Sequence, residues 1–389
     1  MAAVGYVDAS LNADLDNATY SVANRSDNGM DGYGFKTLAA ALARMPAGST
    51  IYVREGTYQA HASDFACFEI NKACTIEGYG SERPIFTYSL PASNSTVGHI
   101  FNVSVADVTL RNLEFIGAKA IKDTNTVDQG SDCVWGNHTQ SGTFTVENCV
   151  IHDGADKGVR TVMPDCQVVA QNNLVYDIGT DNSDNGFYIS SAGDHSVVRY
   201  NAIWNAAAGG IRFGAEDPTK SPKYGEVYGN AVFNCDFGII LWGTEHRCYN
   251  NTVTGCVNGF RTWRSNYVFG PIEVFNNILW GNTYDVRGEG GNVDFPWAVP
   301  DDYDFYDNII HTVLGNAETT TADWIVAVAS GRIDADPLFV ASVTEWTDMR
   351  LQAGSPAIDA ATEAIALLGS SNTMPVQAAL SQNFGAFHS

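Results

Sequence analysis

Eight times this chain sets an asparagine immediately before a short apolar run: Asn112-Leu-Glu-Phe, Asn148-Cys-Val-Ile, Asn173-Leu-Val-Tyr, Asn201-Ala-Ile-Trp, Asn230-Ala-Val-Phe, Asn251-Thr-Val-Thr, Asn277-Ile-Leu-Trp and Asn308-Ile-Ile-His. The separations are 36, 25, 28, 29, 21, 26 and 31 residues, so one structural unit recurs at each step and its loops vary in length. A helical solenoid of this period needs ten or more residues of 3.6-residue pattern, whereas each unit here is a pair of short β-rich runs divided by Gly, Asn and Asp. The units read as coils of a parallel β-helix. Asparagine suits the corner because it tolerates left-handed backbone angles, and its amide can bond to the next coil to form a ladder.

The repeat runs without a linker, which predicts an all-β, single-domain parallel β-helix with a short N-terminal capping helix. Residues 1–66 are expected to form the N-terminal cap and first coil, 67–310 the coils, and 311–389 a last coil and capping segment. The capping helix is expected at Phe35-Lys-Thr-Leu-Ala-Ala-Ala-Leu-Ala-Arg-Met45, where Pro46 and Gly48 stop it. It would cover the open strand edges at the end of the solenoid.

A formal charge of −23 argues against nucleic-acid or anionic-membrane partners. No stretch approaches the roughly 20 apolar residues of a membrane span. Met1-Ala-Ala-Val-Gly-Tyr-Val has neither the basic nor the apolar region of a leader, and the expectation is a secreted or extracellular protein whose leader is absent from this chain or that is exported another way. The eight cysteines lack zinc-like spacing. Cys235 and Cys256 each follow a corner asparagine by five residues and should stack on adjacent coils, as small buried thiols or as a disulfide.

Tyr6-Val-Asp-Ala-Ser10, Phe35 to Leu42 and Ile51-Tyr-Val-Arg-Glu-Gly-Thr-Tyr58 resemble the opening of right-handed parallel β-helix proteins of the pectate-lyase-like superfamily. Asp336-Pro-Leu-Phe339, Met349 to Asp359 and Phe384-Gly-Ala-Phe387 resemble their closing segment. The resemblance spans nearly the whole chain and is specific for fold. For reaction it leaves polysaccharide lyases, glycoside hydrolases, epimerases and tailspikes open.

A second strand follows each corner, and its glycine gives a register: Gly158-Val-Arg-Thr, Gly186-Phe-Tyr-Ile, Gly210-Ile-Arg-Phe, Gly238-Ile-Ile-Leu and Gly259-Phe-Arg-Thr. Alternation sends Val159, Phe187, Ile211, Ile239 and Phe260 inward, so Arg160, Tyr188, Arg212, Ile240 and Arg261 should share one outward column. Two residues on, the same alignment collects Val162, Ser190, Gly214, Trp242 and Trp263. Arginine suits paired bonding to carboxylate or sulfate and tryptophan offers an apolar face to a sugar, so the strip reads as a groove for an anionic polysaccharide. Surface ion pairing of each arginine is the alternative. Asp156, Asp181 and Asp184, in the loops beside the strip, could hold Ca²⁺ or could simply serve the turns.

The lyases of this superfamily imply where chemistry would sit. Elimination next to a uronate needs its carboxylate neutralised and a base for the C5 proton. Lys157, Arg160, Tyr188 and Arg212 are the catalytic candidates, with His195 close by. Arg261, Trp242, Trp263, His195 and Glu216 are candidates for substrate binding. Asp184-Asn-Gly-Phe187 is similar to the Asp-Gly-Phe element of calcium-dependent lyases, but Asn185 and Lys157 stand where those proteins carry acids. A uronate-cleaving lyase is the leading expectation. An inverting hydrolase using carboxylates such as Asp156, Asp184, Glu216 or Asp217, or a non-catalytic glycan-binding adhesin or tailspike-like protein, are the alternatives, and monomer and homotrimer stay open.

Overall fold

The computed structural model describes residues 3–15, 17–60, 66–88, 98–117, 132–214, 222–262, 271–288, 303–306, 308–310, 313–314, 332–333, 336–339 and 349. The corner asparagines do build a ladder, but two of the eight stand one residue off it. Asn173, Asn201, Asn230, Asn251, Asn277 and Asn308 are buried, and the amide nitrogen of each of the first five donates to the next asparagine's Oδ1 at 2.9 Å. The same Oδ1 also accepts the backbone N–H of the preceding asparagine, at 2.9–3.1 Å. The second amide hydrogen goes to a carbonyl of the coil before, as from Asn230 to Val198 at 2.9 Å. Asn112 and Asn148 instead hold the left-handed corner itself, at φ of 55° and 54°. Leu113 and Cys149 occupy the ladder position in those coils.

Each coil carries three strands. One coil reads Cys166–Gln171, Leu174–Ile178 and Asn185–Ser191 before the chain returns at Val197–Arg199. Like strands stack with like, giving three sheets of twelve, eleven and ten described strands. Every paired strand in them is parallel, as in a right-handed parallel β-helix. The first sheet begins in the N-terminal segment, where Val4–Val7 pairs with Ser49–Val53, and that strand pairs in turn with Cys74–Gly78.

The capping helix spans Leu38–Arg44, shorter than expected at both ends, because Phe35 completes a strand with Tyr33 and Gly34. Thr37 caps it by accepting the Ala40 N–H at 3.2 Å, and Leu38, Ala41 and Leu42 bury against the first coils. Inside the third sheet Val159, Phe187, Ile211, Ile239 and Phe260 are fully buried, as alternation requires, and Val134 and Val286 extend the column. Cys235 and Cys256 lie on adjacent coils as buried free thiols. Most of the expected C-terminal cap lies outside the described residues.

Candidate functional site

Glycine keeps the third sheet in register. A Cβ on Gly158 would stand 2.6 Å from the Gly186 carbonyl oxygen, and one on Gly238 would stand 2.5 Å from that of Gly259, so the coils close-pack only where the side chain is missing. The outward column follows from that constraint. Glu69, Asn102, Trp135, Arg160, Tyr188, Arg212, Ile240, Arg261 and Arg287 stand opposite one another on successive coils. Arg160, Tyr188, Arg212 and Arg261 align as the glycines predict. Trp135 and Arg287 extend the column without a preceding glycine, and the buried Val134 and Val286 beside them are the signal that marks them.

Tyr188 is the centre of positive charge. The Arg212 guanidinium lies 4.6 Å from its ring centroid, and Arg160 and the Lys157 ammonium each lie 5.9 Å from it. Arg212 also sits 4.2 Å over Trp242, and Arg261 stands 6.0 Å from the Phe237 ring. Burial, then the neighbouring Arg287 and Arg212, push Arg261 down to about 10, against the pull of Asp236. Arg287 donates to Asn258 Oδ1 at 3.2 Å. Beyond Arg160 the column turns neutral and acidic: Trp135 packs on His99 at 4.2 Å, His99 faces the buried Asp132 at 3.3 Å, and Asn102 donates to Glu69 at 2.7 Å.

Several expected site residues do other work. Trp242 is fully buried with Ala208, Phe237 and Ile240, so its ring supports Arg212 from below instead of meeting a sugar directly. The second column slips at a bulge between Thr161 and Val162, which sets Val162 against Ser191 and not Ser190. Lys157 is buried and ion-paired with Asp156, which removes both from the list of free groups. Asp184 accepts the N–H groups of Thr180 and Asp181 at 2.8 and 3.0 Å, and Asp181 accepts both donors of Ser183. The carboxylates read as Ca²⁺ ligands are therefore tied into an ion pair and a turn, and no calcium site is supported among the described residues. His195 lines a separate groove of about 660 Å³ with Tyr224, Glu226, Glu245, Arg247 and Glu273, on the first sheet's side of the corner. Glu216, Asp217 and Trp263 lie outside the described residues.

The fold aligns with solved β-helices over most of its length. A pectate lyase, Pel9A, matches at 17% identity with a TM-score of 0.60, covering 95% of this chain and 94% of the other. XylC in complex with xylose matches at 12% identity and a TM-score of 0.52, over 81% of this chain and 70% of that one. A rhamnogalacturonan lyase matches at 16% and 0.50, over 81% and 83%. At these identities the likeness is one of fold alone, a parallel β-helix over most of the chain. No curated protein matches the chain. A family model described as periplasmic copper-binding protein (NosD) matches residues 93–316, more than half of the 389, and the chain belongs to that family.

Proposed function

We propose that the outward strip of the third sheet binds an anionic polysaccharide and that the protein cleaves it next to a uronate by β-elimination. The observation that carries this reading is Tyr188 set between Arg160 and Arg212 on consecutive coils. In the elimination the C5–H and C4–O4 bonds break, a C4–C5 double bond forms, and the proton passes from C5 to the departing O4. Arg160 and Arg212 neutralise the carboxylate that makes C5 acidic, and Tyr188 relays the proton, taking it from C5 as phenolate and returning it to O4 as phenol. Such a reaction implies a secreted or periplasmic protein, in keeping with the description of the family. Among the described residues no helix is long and apolar enough to cross a membrane.

The family's description also raises copper. Copper sites gather soft thiolate, thioether and imidazole donors at one point. Among the described residues no three of His, Cys, Asp and Glu converge in that way. Among the described residues seven cysteines are buried, and burial raises thiols such as Cys74, to about 11, and Cys149 and Cys166, each to about 12, away from the thiolate a metal needs. His246 is likewise buried, pushed down to about 4, and its Nδ1 accepts the Gly225 N–H. The described donors do not fit copper, and no step runs through it.

The test is incubation with alginate, pectin, chondroitin and ulvan, with and without chelator, following the ultraviolet absorbance of an unsaturated product. Turnover of at least one polymer, unaffected by chelator, is expected. Tyr188→Phe should abolish turnover and keep binding, while Arg212→Ala should weaken both. New reducing ends without the chromophore would point to a hydrolase, and binding without either product to an adhesin. If Arg160→Ala and Arg212→Ala both left binding and turnover unchanged, the strip would not be the groove.

A further inference from the structure

Arg212 stands between two aromatic rings. Along the strip Tyr188 lies one coil before it and Ile240 one coil after, and Trp242, two residues beyond Ile240, reaches back to it. The Arg212 Cζ lies over both rings, 4.6 Å from the Tyr188 centroid and 4.2 Å from that of Trp242. The Trp242 side is fixed. Its backbone N–H donates to the Phe213 carbonyl at 2.8 Å, which ties it to the residue next to Arg212, and its ring is wholly buried with Ala208, Phe237 and Ile240. Glycine makes this approach possible, because a Cβ on Gly214 would stand 2.0 Å from the Trp242 carbonyl oxygen. An arginine on an open surface spreads over many rotamers. Here a buried ring on one side and a half-buried ring on the other hold the guanidinium along the coil axis and limit the directions in which its N–H groups can donate.

Resting on the elimination described above, we propose that Trp242 is a positioning residue, which acts through Arg212 by holding the guanidinium where the substrate carboxylate gathers charge. Removal of the C5 proton sends its electron pair toward that carboxylate, so the negative charge facing Arg212 is larger in the transition state than in the bound substrate. A guanidinium held in place stabilises that excess, whereas one that is present but loose still attracts the resting carboxylate. Trp242 therefore bears on turnover more than on binding, although it lies wholly beneath the surface. Any aromatic ring at this position keeps the contact, and an aliphatic side chain of similar reach loses it.

The test compares Trp242→Leu and Trp242→Phe with the wild type on an anionic oligomer that the wild type turns over, with thermal unfolding to confirm the fold. Trp242→Leu should lower kcat on the order of a hundredfold while KM changes by less than about threefold, and Trp242→Phe should restore most of the rate. An unchanged kcat in a folded Trp242→Leu would overturn the proposal, as would a Trp242→Phe no faster than Trp242→Leu. Ring currents give a readout that needs neither substrate nor the leucine variant. By nuclear magnetic resonance the Arg212 CδH2 protons, identified by their loss in Arg212→Ala, should lie upfield of those of an exposed arginine, and less so in Trp242→Phe. Unshifted protons in an active wild type would sink the positioning role alone. Shifted protons in a wild type that turned over no anionic oligomer would sink the elimination, and the part of Trp242 in turnover with it.

Discussion

A buried amide is stabilising only when every donor and acceptor on it is met, and the ladder meets that condition. Asn230 donates to Val198 O, Tyr228 O and Asn251 Oδ1, and its own Oδ1 accepts from the Asn201 backbone N–H and amide. Asn230→Ala would strand the two Asn201 donors and the Val198 carbonyl in the core. A loss of about 2–4 kcal/mol in chemical denaturation is the expected outcome. Asn148 has a different job, holding a left-handed turn that glycine adopts freely, so Asn148→Gly should change stability by only about 0.5 kcal/mol. The two kinds of asparagine are one residue apart and look alike in the sequence. What separates them is the backbone: Asn112 and Asn148 hold left-handed φ at the corner, whereas the ladder asparagines stand one residue further on with their amides buried in the core.

Among the elements, the third sheet carries the proposed groove, and its pH response can be worked out from Arg261. Its folded value of about 10 lies below the ordinary arginine range, so the side chain is charged at neutral pH and loses its proton as pH rises through about 10. A bound carboxylate favours the charged form, so binding takes up a proton in that window. Affinity for the anionic oligomer should therefore fall between about pH 9 and 11, and Arg261→Gln should bind more weakly but without that step. Calorimetry across this range, with circular dichroism to check that the fold persists, would reveal either behaviour. The column itself was legible because a Cβ at Gly158 or Gly238 collides with a neighbouring carbonyl, which ties the sequence to the stacking. The bulge at Thr161 and Val162 has no such mark, and the second column misaligned there. Burial was equally hidden for Trp242: strand alternation gives a direction, but it does not reveal that Phe237, Ile240 and Arg212 would close over the ring. The loop carboxylates carried both readings in the sequence, and hydrogen bonds within the turn decided between them.

On the scale of the whole molecule, a cationic strip sits on a chain of net charge −23, and the two act over different distances. At about 0.01 M salt the screening length is about 30 Å, so an approaching polyanion meets the field of the whole protein and is repelled. At about 0.15 M it falls to about 8 Å, and the polymer is then governed by the strip it is close to. Contacts made by half-buried arginines such as Arg160 and Arg212 are screened less than the long-range field. The association rate for an anionic oligosaccharide should thus rise as salt goes from about 0.01 to 0.15 M, while further salt weakens the complex by competing for the arginines. A protein with a net basic surface would instead lose association rate monotonically from the lowest salt. Stopped-flow or biosensor kinetics over that range distinguish the two patterns. Arg212→Ala should speed dissociation yet leave the initial rise in place, because the rise belongs to the total charge and the dissociation rate to the strip. A rate that fell steadily from the lowest salt would mean that the strip's field, and not the net charge, governs approach at every distance.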